Sequence, residues 1–558
     1  MQDEQTFQHD EETVIPAGIW GCDGSFKNIL ALSDMGNAEL LTQLLKGKMC
    51  YEESQEQWRV YTEGFWQKSK GNALMEQAKN IVQLVKIEAD ALPDRLLIDK
   101  GNGKEEFIDN PLKSRALDFV KYSASAHGLR NMIAVAKSTP ALNVKLSHFD
   151  ANPYLLNVQN GTVNLRTGTL QDHNPADYLT VISPTTYDPS ATCPLWLEFL
   201  RYILNDEPAM EEYFQRMMGY GITADTSEEC FFFLKGLGAN GKTTFLNTVK
   251  RVVGDGYAQS PDFEIFTDSK PSSLQMLAQL TTCVVVFTGE PEDQGPRLTL
   301  NTARLKKICG SDELTANPKY KDAFQFKPKF KLYMMSNYDL NVGDAMDYGF
   351  WRKLRFIKMV RQFKPGTEIK GYGERFLPEY SGILNWLVEG AKKWYADHVL
   401  HQQGHPEIDA LKTPQSVWDA TKEQQGLSNP LAEFIDDCLV IHDPRTRNRD
   451  TATKRSDVYK AYVQWAKASD IQHPIGNRHF YTLMERLGYE CQNGGDRAYY
   501  GITLKGDVQR LLNTKKAAQY AYAQSQVWSE TREALKAQTA AIRDEHLSPY
   551  DSESPPRG

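Results

Sequence analysis

A glycine-rich loop between an apolar strand and an amphipathic helix carries the clearest chemistry in this chain. The loop reads Gly-Leu-Gly-Ala-Asn-Gly-Lys-Thr-Thr over residues 236–244 and follows the apolar run 230–234. Glycines at both ends let the backbone turn its N–H groups towards a polyphosphate, and the helix that begins near Lys242 adds the positive end of its dipole. Lys242 would reach the β- and γ-phosphates, and Thr243 would hold Mg²⁺.

The pattern therefore predicts a nucleoside-triphosphate site with ATP and Mg²⁺ as cofactors. The alternative is a glycine-rich turn that binds no nucleotide. The predicted nucleotide ligands are Gly236, Gly238, Ala239, Asn240, Gly241, Lys242, Thr243 and Thr244.

A second apolar run, 283–287, leads into an acidic segment. Hydrolysis of a triphosphate needs a carboxylate at the end of a neighbouring strand to hold Mg²⁺ and polarise the attacking water. Glu290 is the first candidate, Glu292 the second and Asp293 the third. Because hydrolysis does not require all three acids, at least one is expected to be an ordinary solvated loop residue.

Two further segments carry groups that could sense a γ-phosphate. Asn337 ends the apolar run 330–335, and its carboxamide could orient the lytic water, although asparagine is also a common turn former at strand ends. Arg352 and Arg355 lie close to another apolar strand, where a guanidinium could reach the γ-phosphate of a neighbouring subunit. The alternative is a pair of surface arginines. If either arginine acts in trans, the enzyme must be an oligomer.

Composition limits the function classes. A chain of 558 residues with 41% hydrophobic and 24% charged residues indicates a globular protein of several domains, and no apolar run is long enough to span a membrane. We therefore expect a cytoplasmic protein without a membrane partner. Eight scattered cysteines without a CxxC pair argue against a zinc ribbon or a disulfide framework.

Charge is distributed unevenly. The net charge of −8 does not indicate a nucleic-acid binder as a whole. Between Arg304 and Lys364, however, fourteen lysines and arginines stand against six acidic residues. This local excess predicts contact with a polyanion beside the nucleotide loop.

Changes in composition and periodicity divide the chain into six segments. The fold class predicted is an α/β P-loop ATPase core with an α+β N-terminal domain and a C-terminal winged-helix domain. The predicted segments are a mobile arm (1–35), the N-terminal domain (36–190), the ATPase domain (191–400), a polar linker (401–429), the winged-helix-like domain (430–506), and a helical then disordered tail (507–558).

The C-terminal domain follows the order helix, helix, helix and two-stranded ribbon, with the ribbon strands predicted at 489–492 and 498–504, which is typical of a winged helix. Arg478, with His479, Tyr481 and Arg486, would lie on a recognition helix, and Arg497 would lie on the wing. A small packing domain whose surface binds nothing would give the same pattern.

The chain resembles the superfamily 3 helicase domain of the phage/plasmid and poxvirus primase–helicase family. The resemblance covers about residues 36–505 and is most specific from 230 to 357. It is carried by the segments GLGANGKTT, VVVFTGEPED, LKKICGSDELTANPKYKDAFQFKPKFKLYMMSN and GFWRKLRFI. In that family a hairpin with an Arg/Lys-Tyr-Lys stretch grips single-stranded DNA, and here Lys319, Tyr320 and Lys321 occupy its place. Lys306 corresponds to the family's basic residue on the preceding helix.

The resemblance implies an AAA+-like core and a ring, expected to be a hexamer, that moves 3′ to 5′ on single-stranded DNA. Family members often carry an N-terminal primase domain, and only about thirty-five residues precede the shared region here. We therefore expect a chain that unwinds DNA without priming, with a separate primase or polymerase as partner. A Thr-Gly-Glu in place of the family's more frequent Ala-Ser-Glu leaves the choice between Glu290 and Glu292 open.

Three functions follow as hypotheses. The first is an ATP-dependent DNA helicase of phage- or plasmid-type replication that acts on single-stranded and forked DNA. The second is an initiator or loader that binds an origin and uses ATP as a switch, without sustained unwinding. The third, a small-molecule kinase, is disfavoured by the basic hairpin segment and by the lack of an obvious substrate lid.

Overall fold

The structure is a computed structural model, and its description covers most of the chain. The described residues are 32–70, 72–101, 104–267, 277–289, 299–310, 312–316, 323–340, 342, 347–364, 371–442, 449–471, 474–489, 491 and 497–508. The strands among them, in chain order, are β1 (Met49–Glu52), β2 (Gln57–Thr62), β3 (Phe65–Lys68), β4 (Arg95–Asp99), β5 (Glu105–Asp109), β6 (Leu155–Val158), β7 (Gly161–Asn164), β8 (Thr169–Gln171), β9 (Phe231–Lys235), β10 (Ala258–Gln259), β11 (Val285–Gly289), β12 (Leu314–Ala316), β13 (Phe324–Phe326), β14 (Lys331–Ser336), β15 (Leu354–Lys358), β16 (Leu439–Ile441), β17 (Ala452–Lys454), β18 (Ala498–Tyr500) and β19 (Ile502–Leu504).

The α-helices of the same residues lie between and around these strands. They are Asp34–Leu45, Ala73–Ala91, Pro111–Ser123, Ala126–Lys137, Pro194–Ile203, Pro208–Gly221, Lys242–Val253, Thr302–Ile308, Tyr348–Trp351, Tyr380–Gln402, Gln415–Leu427, Ala432–Cys438, Arg455–Ala468 and Asn477–Arg486. The fold is thus mixed α/β, as the sequence predicts at this coarse level.

A five-stranded parallel sheet forms the centre of the molecule. Its order is β10-β11-β14-β9-β15, so that β9 lies between β14 and β15. Phe232 faces one hydrophobic core and Phe233 faces another on the opposite side, and both are almost fully buried. Burial of both faces explains the continuous apolar runs in the sequence, since such strands have no solvated face. Because the five strands are parallel, their carboxyl ends all lie on the same side of the sheet.

Helices cover one face of this sheet at close range. The helices Pro208–Gly221 and Tyr380–Gln402 approach so closely that a Cβ on Gly219 would lie 2.1 Å from the backbone N of Ala391, and one on Gly390 would lie 2.0 Å from the backbone O of Gln215. Glycine at both positions therefore permits this helix pair, which shares its core with the helix Lys242–Val253.

The N-terminal part contains four helices around their own core, from Ala38 to Leu142, with the antiparallel sheet β1-β2-β3 beside them. The hairpin unit β6-β7-β8 was predicted to belong to the N-terminal domain. In the structure it packs into the core of the central sheet rather than into that helical core. Hydroxyl groups of Ser183 and Thr185 donate to the backbone O of Val252 at 2.8 and 2.7 Å. The N-terminal domain expected to extend to residue 190 is therefore joined to the central sheet from about residue 155 onwards.

The segment 401–429, expected to be a linker, instead contains the helix Gln415–Leu427, which lies against β15. Thr421 accepts a hydrogen bond from the N–H of Phe356 at 3.0 Å, and Ala420 lies in the core on that side. β15 is an edge strand of the sheet, and the helix covers this edge. The helix has few apolar residues because much of its contact is polar, which is why its sequence resembles a connector.

The C-terminal unit contains the three predicted helices around Phe434, Trp465 and Phe480. Its strands differ from the prediction: β16 pairs with β19 and β17 with β18, all antiparallel. The predicted strand 498–504 is interrupted at Gly501, whose φ is +76°. Of the predicted strand 489–492, the described residues show a single bridge from Cys491 to Tyr499. Three-residue strands carry too little alternation to be recognised in the sequence.

Among the described residues, no helix is both long and apolar enough to cross a membrane. Of the predicted mobile arm (1–35) and the predicted tail (507–558), residues 1–31 and 509–558 lie outside the described residues, and the helix Asp34–Leu45 begins within the last residues of the arm.

Candidate nucleotide-binding site

The loop 236–241 joins β9 to the helix Lys242–Val253, and steric contacts fix its glycines. A Cβ on Gly236 would lie 1.6 Å from Nδ2 of Asn240, and one on Gly241 would lie 2.7 Å from a methyl carbon of Ile203. Gly238, Ala239 and Gly241 have positive φ angles of 93°, 47° and 79°. The two glycines at the ends of the motif therefore serve close packing, and the loop turns tightly between them.

Hydrogen-bond donors accumulate in this loop without acceptors. The N–H of Gly236 donates to the O of Ser336 at 3.2 Å, whereas none of the N–H groups of residues 237–241 has an acceptor within the described part of the chain. Nδ2 of Asn240 is buried and also lacks one. A buried donor without a partner, such as this Nδ2, is costly, and an anion such as a phosphate would satisfy it together with the open N–H groups. The loop therefore fits a polyphosphate.

Lys242 is folded into the loop. Its Nζ donates to the O of Gly236 at 2.9 Å, to Oδ1 of Asn240 at 3.0 Å and to Oδ1 of Asn337 at 3.2 Å. The residue is only 6% exposed, and this burial lowers the pKa of its ammonium group to about 8. All three acceptors are neutral, so the charge has no counter-ion among these contacts. A phosphate beside it would supply one.

Asn337 and Lys242 meet although they lie 95 residues apart in sequence. β14 is the parallel neighbour of β9, and Ser336 pairs with Lys235, so both strands end at the same level. The asparagine that follows β14 therefore lies beside the loop that follows β9. Its side chain is exposed apart from this contact, which leaves the carboxamide accessible from solvent.

The three candidate acids, Glu290, Glu292 and Asp293, lie outside the described residues. β11, which leads to Glu290 and Glu292, is described as far as Gly289, and Gly289 pairs with Met335 of β14. The described part of β11 thus ends on the same side of the sheet as the loop. Thr243, the other predicted Mg²⁺ ligand, is exposed in the first turn of the helix, and Thr244 is half-buried.

Arg352 and Arg355 lie near the amino ends of the sheet strands, opposite to the carboxyl ends where the loop lies. The N–H of Phe231, at the start of β9, donates to the O of Lys353 at 2.9 Å, so Arg352 precedes the amino end of β15. The side chain of Arg352 is 57% exposed and lies 3.9 Å from the carboxylate of Glu229. Arg355 is half-buried, with its guanidinium 4.2 Å from the ring centroid of Trp418. Both arginines thus lie away from the ends of the strands that carry the loop.

Four of the residues predicted to contact DNA lie in the basic segment 304–364. Lys306 is described, on the helix Thr302–Ile308, where its Nζ lies 2.6 Å from the carboxylate of Asp347. Lys319, Tyr320 and Lys321 lie outside the described residues. The strands on either side of them, β12 and β13, pair antiparallel up to Ala316 and Phe324.

In the C-terminal unit, Arg478 and Arg497 are exposed. Arg478 is the second residue of the helix Asn477–Arg486. The backbone O of Arg497 accepts a hydrogen bond from the N–H of Arg455 at 2.9 Å. The guanidinium of Arg455 lies 3.8 Å from the ring centroid of Tyr481, which joins the two helices. Both predicted arginines are therefore available on the surface of this unit.

The sequence alone did not indicate the segment 359–363, which runs over the loop. The N–H of Met359 donates to the O of Lys235 and the N–H of Phe363 to the O of Ala239, both at 2.7 Å. The amide of Gln362 donates to the O of Gly238 at 3.2 Å. The carbonyl groups of Lys235, Gly238 and Ala239 are thus paired with this segment, while the N–H groups of residues 237–241 stay open. The segment carries no motif, and only its position immediately after an apolar strand could have suggested it.

Family comparisons match two parts of the chain. Residues 38–205 match a family described as "D5 N terminal like", and residues 234–352 match a "Family of unknown function (DUF5906)". The second range includes the whole loop, the acidic segment and Asn337.

Three viral relatives illustrate the curated matches. The chain is 24% identical over 438 residues to "Putative helicase L207/L206" of Acanthamoeba polyphaga mimivirus, over 73% of this chain and 43% of the relative. It is 25% identical over 340 residues to "Putative primase C962R" of African swine fever virus (strain Badajoz 1971 Vero-adapted), over 57% of this chain and 34% of the relative. It is 24% identical over 320 residues to "Putative helicase 184R" of Invertebrate iridescent virus 6, over 53% and 33%. The chain thus spans less than half the length of these relatives.

Among solved structures, the chain is similar to the structure described as "The apo structure of NrS-1 C terminal region (305-718)". The TM-score is 0.43 at 10% identity, over 84% of this chain and 99% of that one. The sequence matches support a primase–helicase-like family.

Proposed function

We propose that this chain is an ATP-dependent DNA helicase of viral, phage or plasmid-type replication that acts as a ring of subunits, six in number, and moves 3′ to 5′ on single-stranded DNA. The observation that carries the proposal is the 3.2 Å contact between Nζ of Lys242 and Oδ1 of Asn337, in a loop whose N–H groups lack acceptors. A phosphate-binding cation and a γ-phosphate sensor would have to meet in this way.

The residues of the loop would share the work. The open N–H groups of residues 237–241 and the ammonium of Lys242 would hold the phosphates and balance their charge. Asn337 would orient the attacking water, since its carboxamide can both accept and donate. Thr243 and Glu290 would hold Mg²⁺, with Glu292 as the alternative acid. Bound Mg²⁺ neutralises charge on the β- and γ-phosphates.

β14 would connect this site to DNA. Asn337 follows its carboxyl end, and its amino end continues from the hairpin strand β13 through residues 327–330. A change at Asn337 would therefore act on a strand that leads, through β13, to the segment of Lys319, Tyr320 and Lys321. Two cations around an aromatic ring offer phosphate contacts and a stacking face for single-stranded DNA.

The position of Arg352 supports oligomerisation. An arginine finger must reach the γ-phosphate, and Arg352 lies at the edge of the sheet opposite to the loop, with 57% of its side chain exposed. It would therefore act on a neighbouring subunit's nucleotide. Arg355 stacks on Trp418 and also donates to the O of Arg352 at 2.8 Å, so it is the less available of the two.

Strand displacement on a forked duplex tests the proposal. The wild-type chain should separate the fork in the presence of ATP and Mg²⁺, and Lys242→Ala should abolish separation. Lys250→Ala is the matched control, because Lys250 lies in the last turn of the same helix and pairs with Asp255 at 3.4 Å. Separation that persists in Lys242→Ala, or a protein that stays monomeric with nucleotide and fork, would refute the proposal.

The initiator or loader remains the second candidate, and the exposed Arg478 and Arg497 of the C-terminal unit favour it. A recognition helix would contact duplex DNA rather than a single strand. The same assay separates the two functions. An initiator would show nucleotide-dependent binding to duplex DNA without displacement, and Arg478→Ala would weaken that binding while leaving ATP hydrolysis unchanged.

A further inference from the structure

Two aromatic rings stack beside the glycine-rich loop. The ring centroids of Tyr202 and Phe363 lie 4.6 Å apart at an interplanar angle of 30°. The N–H of Phe363 donates to the O of Ala239, which places this residue against the middle of the loop. Tyr202 belongs to the helix Pro194–Ile203, whose last residue touches the position of Gly241. The pair therefore flanks the same loop from two elements that are distant in sequence.

Polar contacts fix the pair in place. The hydroxyl of Tyr202 donates to the O of Gln362 at 3.1 Å, and the amide of Gln362 donates to the O of Gly238 at 3.2 Å. Arg361 lies 5.0 Å from the ring centroid of Tyr202 and pairs with Asp206 at 2.7 Å. Both rings are thus held in orientation relative to the loop without help from a ligand, which is the preorganisation expected of a binding surface.

The exposure of these rings distinguishes them from the core. Phe199 and Phe376, which also lie in this region, are 2% and 0% exposed, whereas Tyr202 and Phe363 are half-buried. A half-exposed aromatic face is a surface on which a flat, partly apolar group can stack. Phe363 contacts the glycine-rich loop directly through its N–H group. In a nucleotide, the flat group attached to the polyphosphate is the base, so the base is the group that these rings would meet.

We propose that Phe363, supported by Tyr202, stacks on the base of the nucleotide whose phosphates the loop holds, and that this platform favours purines. The inference rests on the proposed function of the loop and adds the base subsite to it. Purines gain more from stacking than pyrimidines because their ring system covers more of the aromatic face. The phosphates would supply affinity that is common to all nucleotides, and the ring pair would supply the discrimination.

Calorimetric titration of the full chain with ATP, CTP and inorganic tripolyphosphate tests this inference. Phe363→Leu keeps the apolar bulk and removes the aromatic face, and Tyr348→Leu, at an exposed ring on the helix Tyr348–Trp351, is the matched control. Phe363→Leu should weaken ATP binding about tenfold and bring the affinities for ATP and CTP together. Tripolyphosphate binding should be unchanged in both variants, and Phe363→Trp should retain the preference for ATP.

The outcomes separate this inference from the function on which it rests. Equal ATP affinity in the wild type and Phe363→Leu would overturn the base subsite. An equal loss of ATP and tripolyphosphate in Phe363→Leu would also overturn it, because the ring would then only support the loop. Lys242→Ala should weaken both ligands, and undiminished binding of both in that variant would instead overturn the phosphate site.

Discussion

Binding of a polyphosphate should draw protons from solution onto Lys242, in an amount that rises with pH. Burial lowers the pKa of this ammonium group to about 8, and its three acceptors are all uncharged. A phosphate beside it favours the charged form and raises the pKa again. Because the free site is about half protonated at pH 8, binding should take up about 0.5 proton there, about 0.1 at pH 7 and about 0.9 at pH 9.

The same linkage fixes the sign of the pH dependence. The ligand binds the protonated form more tightly, so affinity is full below the pKa of the free lysine and falls as the pH rises through it. Between pH 7 and pH 9 the protonated fraction of the free site falls about tenfold, and the apparent affinity should fall by about the same factor.

Titration calorimetry in buffers of different ionisation enthalpy measures this uptake directly. ATP is fully ionised above pH 8, so protons taken up there come to the protein. Lys242→Arg is the matched control, because a guanidinium keeps its charge over the whole range and should bind without uptake. An uptake that does not change between pH 7 and pH 9, or that persists in Lys242→Arg, would refute the assignment of a buried, anion-responsive lysine.

Three further predictions concern the elements around the loop. Asn337→Ala should lower the rate of ATP hydrolysis about 100-fold with little change in melting temperature, since this residue is exposed, and an unchanged turnover rate would contradict its role. Gly236→Ala should destabilise the protein in urea unfolding more than Gly426→Ala, because its Cβ would meet Asn240 whereas the Cβ at Gly426 meets open space, and equal effects would contradict this packing. Thr421→Val should cost about 1–3 kcal/mol of unfolding free energy, because it leaves the N–H of Phe356 unpaired, whereas Thr421→Ser should cost less; equal losses would show that the hydroxyl is not needed.

Local patterns predicted the elements with strong periodicity or strict spacing. The apolar run before Gly236, the loop and the amphipathic helix after it appear in the structure in the predicted order. The same holds for the three helices of the C-terminal unit. These elements depend on interactions between near neighbours in sequence, which propensity and periodicity describe well.

Elements that depend on distant partners were not predictable in the same way. The helix Gln415–Leu427 resembles a polar connector until β15 supplies the edge that it covers. The strands β16 and β17 are too short to carry a pattern of their own, and each exists because a later strand pairs with it. The platform of Tyr202 and Phe363 joins residues from two segments whose sequences give no common signal.

The sequence by itself determined the chemical groups: a loop with donors for phosphate, a lysine within it, a polar amide after one strand and arginines before another. Only the tertiary structure decided which of these groups meet. Strand order placed β14 beside β9 and so brought Asn337 to 3.2 Å from Lys242, while the direction of the strands kept Arg352 at the opposite edge. Strand order is set by packing of buried faces across the whole sheet, and no local stretch of sequence contains that information.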